Sequence, residues 1–310
     1  MQVAVIGGGG FVGRHLCSYL AQHAYQVIAT TRDLARTPVN ADNITWLQLD
    51  LLDSPLPEPD FTAVDCVVYL AARAHLMSDS STDPLTEYRK INRDAALDIA
   101  RSAAAQGVGR FIYLSSIGVN GIENNRPFHE DDSPAPSEDY ARSKLEAECA
   151  LAELASGGTM ELVVLRPPLV YGSGAPGNFS RLLAAVEKGR WLPLAAVHNR
   201  RSFIAIENLV QVIEICIHHP RAANQLFLVA DGEDVSSASL IKLIAVALGR
   251  PARLVYVPVF LLKLAGMLLG KSKEINRLCG SLQVDCSRAR QMLDWQPAVT
   301  MMQSLQNLRG

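Results

Sequence analysis

The sequence predicts an α/β protein organised on a doubly wound parallel sheet, with a smaller α/β lobe in its C-terminal part. Three observations predict it. Short apolar runs alternate with helical patterns through the first half of the chain. These runs lack a clean polar–apolar alternation, as strands do when helices cover both sheet faces. The first run, Gln2-Val3-Ala4-Val5-Ile6, passes straight into four glycines and then into a helical pattern.

That first strand, 2–6, leads into Gly7-Gly8-Gly9-Gly10-Phe11-Val12-Gly13, where missing Cβ atoms let the backbone turn tightly. Val12, Leu16 and Leu20 recur at helical spacing, so a helix begins near residues 10–12. Free N–H groups and the helix dipole then converge on one spot, an anion site whose usual occupant is a dinucleotide pyrophosphate. Gly8, Gly10 and Gly13 satisfy G-x-G-x-x-G, and Gly7, Gly10 and Gly13 satisfy G-x-x-G-x-x-G; the glycine run fits both spacings.

Further strands are predicted over 26–31, 44–49 and 66–70. A long alanine-rich helix follows over 88–106 and stops at Gly107. A fifth strand over 110–114, a helix over 140–154 and a sixth strand over 162–166 complete the alternation. Beyond Gly172 it loosens: helix 179–188, strand 202–206, helix 207–218, strand 225–229, and helix 237–248 stopped by Gly249 and Pro251. The expected organisation is a dinucleotide-binding Rossmann domain over 1–172 and a mainly substrate-binding lobe over 173–310, with segments near 202–230 returning to the sheet.

Composition narrows the partners. The chain has 310 residues, 49% hydrophobic and 19% charged, enough for a sizeable core and about two domains. A net charge of −2 offers no electrostatic case for nucleic acid. Cys17, Cys66, Cys149, Cys216, Cys279 and Cys286 are scattered with no C-x-x-C pair, which points to free thiols in a reducing, cytoplasmic compartment and away from zinc. No metal is expected; His218-His219 reads as a cationic helix end beside Pro220. The N-terminus enters a strand directly, so no signal peptide is expected. The apolar run 255–270 is broken by Pro258 and Lys263 and is too short to span a bilayer. It reads as a buried or interface helix, or else as a peripheral contact with a membrane surface.

In a doubly wound sheet ligands lie at the carboxyl ends of the strands. After the second strand stand Thr31, Arg32 and Asp33. A guanidinium there pairs with a 2′-phosphate and favours NADP, whereas Asp33 at the ribose would favour NAD, and Arg32 as a solvated charge is the plain alternative. Asp50 and Leu51 follow the third strand, placed to hold an adenine edge and pack its face. Leu70-Ala71-Ala72-Arg73 follows the fourth, with small residues that let backbone approach a cofactor; His75 and Asn92 are further polar candidates.

The chemistry rests on Ser115-Ser116 after the fifth strand and on Tyr140 and Lys144, four apart and on one helix face. A phenol has a pKa of about 10, so using it near neutrality needs roughly 4 kcal/mol of help. An ammonium about 4 Å away supplies about that at an effective dielectric near 20. Ser116 is placed to hydrogen-bond the reacting oxygen and hold it against Tyr140.

At these residues the chain resembles the extended short-chain dehydrogenase/reductase family of nucleotide-sugar epimerases, dehydratases and reductases. The resemblance covers the whole chain and rests on Gly7/Gly10/Gly13, Asp50-Leu51, Ala71-Ala72, Ser115-Ser116, Tyr140-x-x-x-Lys144, Arg166-Pro167-Pro168-Leu169-Val170-Tyr171-Gly172 and Arg201-Ser202-Phe203-Ile204. The tail, with Gly280-Ser281-Leu282-Gln283-Val284-Asp285 and Leu293-Asp294-Trp295-Gln296-Pro297, is similar to a bacterial branch serving lipopolysaccharide and other surface polysaccharides.

The resemblance implies catalytic Ser116, Tyr140 and Lys144. It implies cofactor contacts from Gly7, Gly10, Phe11, Val12, Gly13, Thr31, Arg32, Asp50, Leu51, Leu70, Ala71, Ala72, Ser115, Tyr140, Lys144 and Pro167. It implies substrate contacts from Asn178 and Arg201, with Arg200 an equally basic neighbour of the last. Arg73, His75 and Ser116 are the further substrate candidates, His75 with a structural or exposed histidine as its plain alternative. The dehydratases of this family carry an Asp-Glu pair after the catalytic hydroxyl residue; Ile117 and Gly118 stand there and cannot transfer protons, so dehydration is rejected. The expected activity is NAD(P)-dependent hydride transfer at C4 of a UDP-linked sugar. Reduction of a UDP-4-keto-6-deoxy-N-acetylhexosamine leads, a 4-epimerase with tightly bound NAD is the alternative, and a homodimer is the implied assembly.

Overall fold

Seven parallel strands form the central sheet of the computed structural model, which describes residues 1–37, 39–53, 55–73 and 83–309. Their order is β3-β2-β1-β4-β5-β6-β9: β1 Gln2–Ile6, β2 Gln26–Thr31, β3 Ile44–Gln48, β4 Cys66–Tyr69, β5 Arg110–Leu114, β6 Glu161–Arg166 and β9 Gln225–Leu228. The order reverses between β1 and β4, opening a crevice at their carboxyl ends. β7 (Leu169–Tyr171) and β8 (Phe203–Ala205) form a separate two-stranded parallel sheet. Of the two strands expected near 202–230, only the later one joins the main sheet, with Val163 opposite Gln225.

Helices cover both faces, which is why the strands are apolar throughout. On one side α1 (Phe11–Gln22) and α6 (Ile206–His218) bury Leu16, Leu20, Leu209 and Ile213 against Val3, Val5 and Val68. On the other, α3 (Ala96–Ala105) and α4 (Asp139–Ser156) bury Ile99, Ala103, Ala147 and Leu151 against Val67, Phe111 and Tyr113. A third core joins α5 (Asn178–Glu187), α7 (Ser237–Leu248), α8 (Val259–Leu268) and α11 (Met301–Gln306) through Phe179, Ile241, Ile244, Leu262 and Leu305. Two more helices, α9 (Ser272–Cys279) and α10 (Ser287–Leu293), complete the C-terminal part.

The single helix expected over 88–106 is not continuous. It begins earlier, as α2 (Pro84–Arg89) capped by Asp83, passes through a π turn at Lys90–Ala95, and resumes as α3. The π turn shifts carbonyls out of the regular ladder. Two of them accept from buried tyrosines, Ile91 from Tyr69 and Asn92 from Tyr113, each at 2.7 Å. Among the described residues no helix is long and apolar enough to cross a membrane.

Candidate active site

The glycine loop is built so that no side chain fits inside it. Gly7 has φ +88°, and a Cβ there would lie 2.8 Å from the Ala71 nitrogen. At Gly13 a Cβ would meet the Gly7 carbonyl at 2.2 Å. Gly7, Gly10 and Gly13 therefore mark the turn, and Gly8 packs against Ala29 beneath it. No side chain caps the N-terminus of α1, so its first N–H groups face the crevice without an intrahelical partner. Phe11 and Val12 open that helix. A dinucleotide pyrophosphate fits this cradle.

The strand tips frame the rest of the crevice. Thr30 Oγ1 accepts the Gly7 N–H at 2.9 Å, and Thr31 Oγ1 lies where a Cβ on Gly9 would reach it at 2.9 Å. Arg32 is exposed beside them. The Asp33 carboxylate is engaged locally. Its Oδ1 accepts from Ala35 N–H at 2.9 Å, capping a short 3-10 turn. The Asp50 carboxylate accepts from Leu52 N–H, and Leu51 packs on the core beside it. Leu70 donates its N–H to Ile6, Ala71 lies under Gly7, and Ala72 is exposed.

Helix α4 docks three successive turns on the end of β5. At the first, Gly118 packs closely: a Cβ there would lie 3.3 Å from Ala141 Cβ and 3.4 Å from Ser116 Oγ. This sets the Ser116 hydroxyl beside the turn that carries Tyr140. At the second, Lys144 Nζ donates to the Leu114 carbonyl at 2.8 Å. At the third, Glu148 accepts from Ser115 Oγ. Ser115 thus spends its hydroxyl on the interior, and its N–H goes to Leu165.

Electrostatics differ from the simple expectation of a phenol lowered by its neighbour. Burial pushes the half-buried Tyr140 phenol up to about 12, and Tyr88, whose ring stands edge-on at 6.0 Å, adds to it. Burial pulls Lys144 down to about 7, with Glu148 opposing. Lys144 is held under the Leu114 carbonyl and over the Tyr113 ring at 4.5 Å.

The sequence alone does not single out Glu148 or the network it builds, whereas Arg166, Asn92 and Arg73 are already marked in it. Glu148 forms a buried ion pair with Arg166 at 2.5 Å, and Arg166 also donates to Asn120 Oδ1 at 2.9 Å. A signal for them exists: Glu148 is four residues beyond Lys144, and Arg166 is a charge ending an apolar strand. Asn92 is fully buried, donates to Ser143 Oγ at 2.9 Å and accepts from the Arg73 N–H. Arg73 itself faces Glu87 at 3.2 Å.

At the other edge Arg201 donates to the carbonyls of Arg277 and Gly280, at 2.8 and 3.0 Å, and Arg277 pairs with Glu138. Burial and the Arg277 charge both depress Arg201. Arg200 is exposed, with its N–H on Ser281 Oγ. Asn178, exposed, opens α5 after Gly177, while Arg14 and His15 of α1 contact the carbonyls of Gly174 and Ser173. Pro167 is buried and accepts from Ile117 N–H. His75 lies outside the described residues. Among those residues no group of three His, Cys, Asp or Glu is placed to hold a metal ion.

A doubly wound sheet, an uncapped helix behind a glycine turn and a Tyr-x-x-x-Lys helix at the β5 tip define the class of nicotinamide-dinucleotide enzymes. Residues 3–230 match the NAD dependent epimerase/dehydratase family, and the chain belongs to that family. It is 41% identical over 306 residues to a UDP-glucose 4-epimerase of Vibrio cholerae, across 96% of this chain and 92% of that protein. It is 27% identical to a GDP-6-deoxy-D-mannose reductase of Pseudomonas aeruginosa, across 97% and 93%. In fold it is similar to the UDP-glucose 4-epimerase of Thermotoga maritima solved with UDP-glucose, with a TM-score of 0.82 at 23% identity, covering 99% and 97% of the two chains.

Proposed function

We propose that this chain reduces the C4 ketone of a UDP-linked 4-keto-6-deoxy-N-acetylhexosamine, using NADPH. A bound nicotinamide dinucleotide supplies the hydride. Tyr140 gives its proton to the forming alkoxide, and a phenol pushed up to about 12 keeps that proton available at neutral pH. Ser116, beside the Tyr140 turn, orients the oxygen. Lys144, tied to the end of β5, places its charge in the same corner. Arg201, half-buried beside Arg277 at the far edge, offers a guanidinium to a diphosphate, and Arg277 is balanced by Glu138. Ile117 is buried and Gly118 has no side chain, so nothing at those positions serves proton transfer at C5 or C6.

The observation that carries the reductive direction is the tip of β2. Arg32 is exposed just beyond β2, available to pair with a 2′-phosphate, and the Asp33 carboxylate is held in a turn. A 2′-phosphorylated cofactor suits an enzyme that exchanges it every turnover. A 4-epimerase retaining NAD is the second reading, favoured by the 41% identical Vibrio cholerae protein. The assay is NADPH consumption with a UDP-4-keto-6-deoxy-N-acetylhexosamine. Net oxidation of NADPH supports reduction; sugar interconversion without it supports epimerisation. The assembly that goes with this reading is a homodimer through α3 and α4, which light scattering checks.

A further inference from the structure

Between Asp234 and Glu274 the chain carries Lys242, Arg250, Arg253, Lys263, Lys271 and Lys273 and no acidic residue, in a protein whose net charge is −2. All six cations are exposed. The same stretch holds the largest concentration of uncovered apolar side chains. Tyr256 is 72% exposed, Phe260 68%, Met267 64%, Leu268 77% and Leu269 71%. Helix α8 is apolar almost all round, yet only Leu262 and Gly266 are buried. A helix of that character belongs in a core or at a membrane, and an uncovered patch of this kind marks an interaction surface.

We infer that this face docks on an anionic phospholipid bilayer. Ten residues of helix reach about 15 Å, too short to span and suited to lying in the interface plane. Trp191, 65% exposed, is brought to the same edge by the hydrogen bond from Leu192 N–H to the Arg253 carbonyl, and Arg253 sits 5.6 Å from its ring. An indole with an arginine beside it is at home at headgroup level. Cations without anions match anionic headgroups. They fit a second copy poorly, because an isologous contact sets Lys263 and its neighbours against themselves. Glu274, exposed, stands in the first turn of α9 just beyond the basic stretch, and Glu138 is taken up by Arg277. α9 packs on α8 through Ile275 against Gly266; its Arg277 pairs with Glu138 and accepts from Arg201 on its carbonyl. Docking therefore turns the Arg201 edge of the crevice toward the lipid.

The full chain is floated with vesicles of phosphatidylcholine, with and without phosphatidylglycerol, over a salt series. Binding to the phosphatidylglycerol vesicles at low salt, weakened by salt, with a blue shift of indole emission, is expected. Trp191→Phe keeps flotation and loses the shift. Phe260→Glu/Leu268→Glu lowers binding at least about tenfold, and Lys271→Glu or Lys273→Glu roughly fivefold each. The lysine variants test the inference even should the apolar pair misfold. Absence of flotation at low salt, equal binding to vesicles without phosphatidylglycerol, or flotation untouched by these variants overturns it. So does a wild-type chain that ignores vesicles and whose mass falls in light scattering with Phe260→Glu/Leu268→Glu, which assigns the face to a second copy.

Discussion

Lys144 Nζ lies 2.8 Å from the Leu114 carbonyl, so the ammonium is fixed to the strand whose next residues are Ser115 and Ser116. With the Ser115–Glu148 bond one turn on, this contact ties the helix that carries Tyr140 to the loop that carries the serine. Burial leaves this cation poised near neutrality, at about 7.

The first prediction follows from the phenol as proton donor. Tyr140→Phe keeps the ring, which stands against Tyr88, and removes the proton. kcat falls by roughly 10² to 10⁴, the range for a lost general acid. Dinucleotide affinity by fluorescence titration stays within a few-fold, because the glycine loop is untouched. A parallel collapse of cofactor binding would assign Tyr140 to folding.

The second concerns pH. Discharge of Lys144 through pH about 7 makes kcat/KM for reduction fall on the alkaline side, and Lys144→Met lacks that limb. Stability runs the other way. The folded value is below the ordinary 10.5, so between pH 7 and 10.5 the unfolded chain binds more protons and stability rises with pH. The drop corresponds to about 5 kcal/mol of destabilisation, present in full below pH 7. In urea unfolding, any advantage of Lys144→Met over the parent therefore shrinks as pH is raised from 7 to about 10.

The third tests the buried pair of Glu148 and Arg166. Removing one partner leaves an uncompensated charge in the interior, at a cost of about 3–5 kcal/mol. Glu148→Gln and Arg166→Met each lower the unfolding midpoint steeply, and the double substitution costs less than the sum of the singles. Additive effects in a double-mutant cycle would show that the two groups act independently.

The fourth uses the tightest point of the loop. A Cβ at Gly13 meets the Gly7 carbonyl at 2.2 Å, so Gly13→Ala forces α1 away from β1. Thermal unfolding drops and dinucleotide binding is lost together, whereas Gly107→Ala, with nothing within 4 Å of its Cβ, shows only the strain of φ +85° and keeps cofactor binding.

These residues differ in how legible they are in the sequence. Gly7 to Gly13 and the strands 2–6 and 110–114 stand out because apolar runs flanked by glycine have one reading in an alternating chain. Tyr140 and Lys144 are legible from a spacing of four on one helix. The π turn at Lys90–Ala95 is not, since an alanine-rich pattern does not encode a shift in hydrogen-bond ladder. Nor is the separate pairing of Leu169–Tyr171 with Phe203–Ala205: three apolar residues do not name their neighbour. Arg277 is hidden because its partners, Arg201 and Glu138, are 76 and 139 residues away.

The last prediction concerns cofactor choice at β2. Arg32 is exposed at the tip of β2, and the Asp33 carboxylate accepts from Ala35 N–H and caps a turn. A 2′-phosphate gains a charge-assisted bond from the guanidinium, which a ribose hydroxyl does not. Arg32→Ser therefore weakens NADPH by roughly tenfold, the loss of one such bond, and leaves NADH nearly unchanged. Asp33→Ala frees the turn without supplying a new partner, so it lowers the two affinities alike. Competitive titration of both dinucleotides against each variant gives the ratio directly. A preference for NADH in the parent, unaltered by Arg32→Ser, would remove the basis for a cofactor exchanged at every turnover.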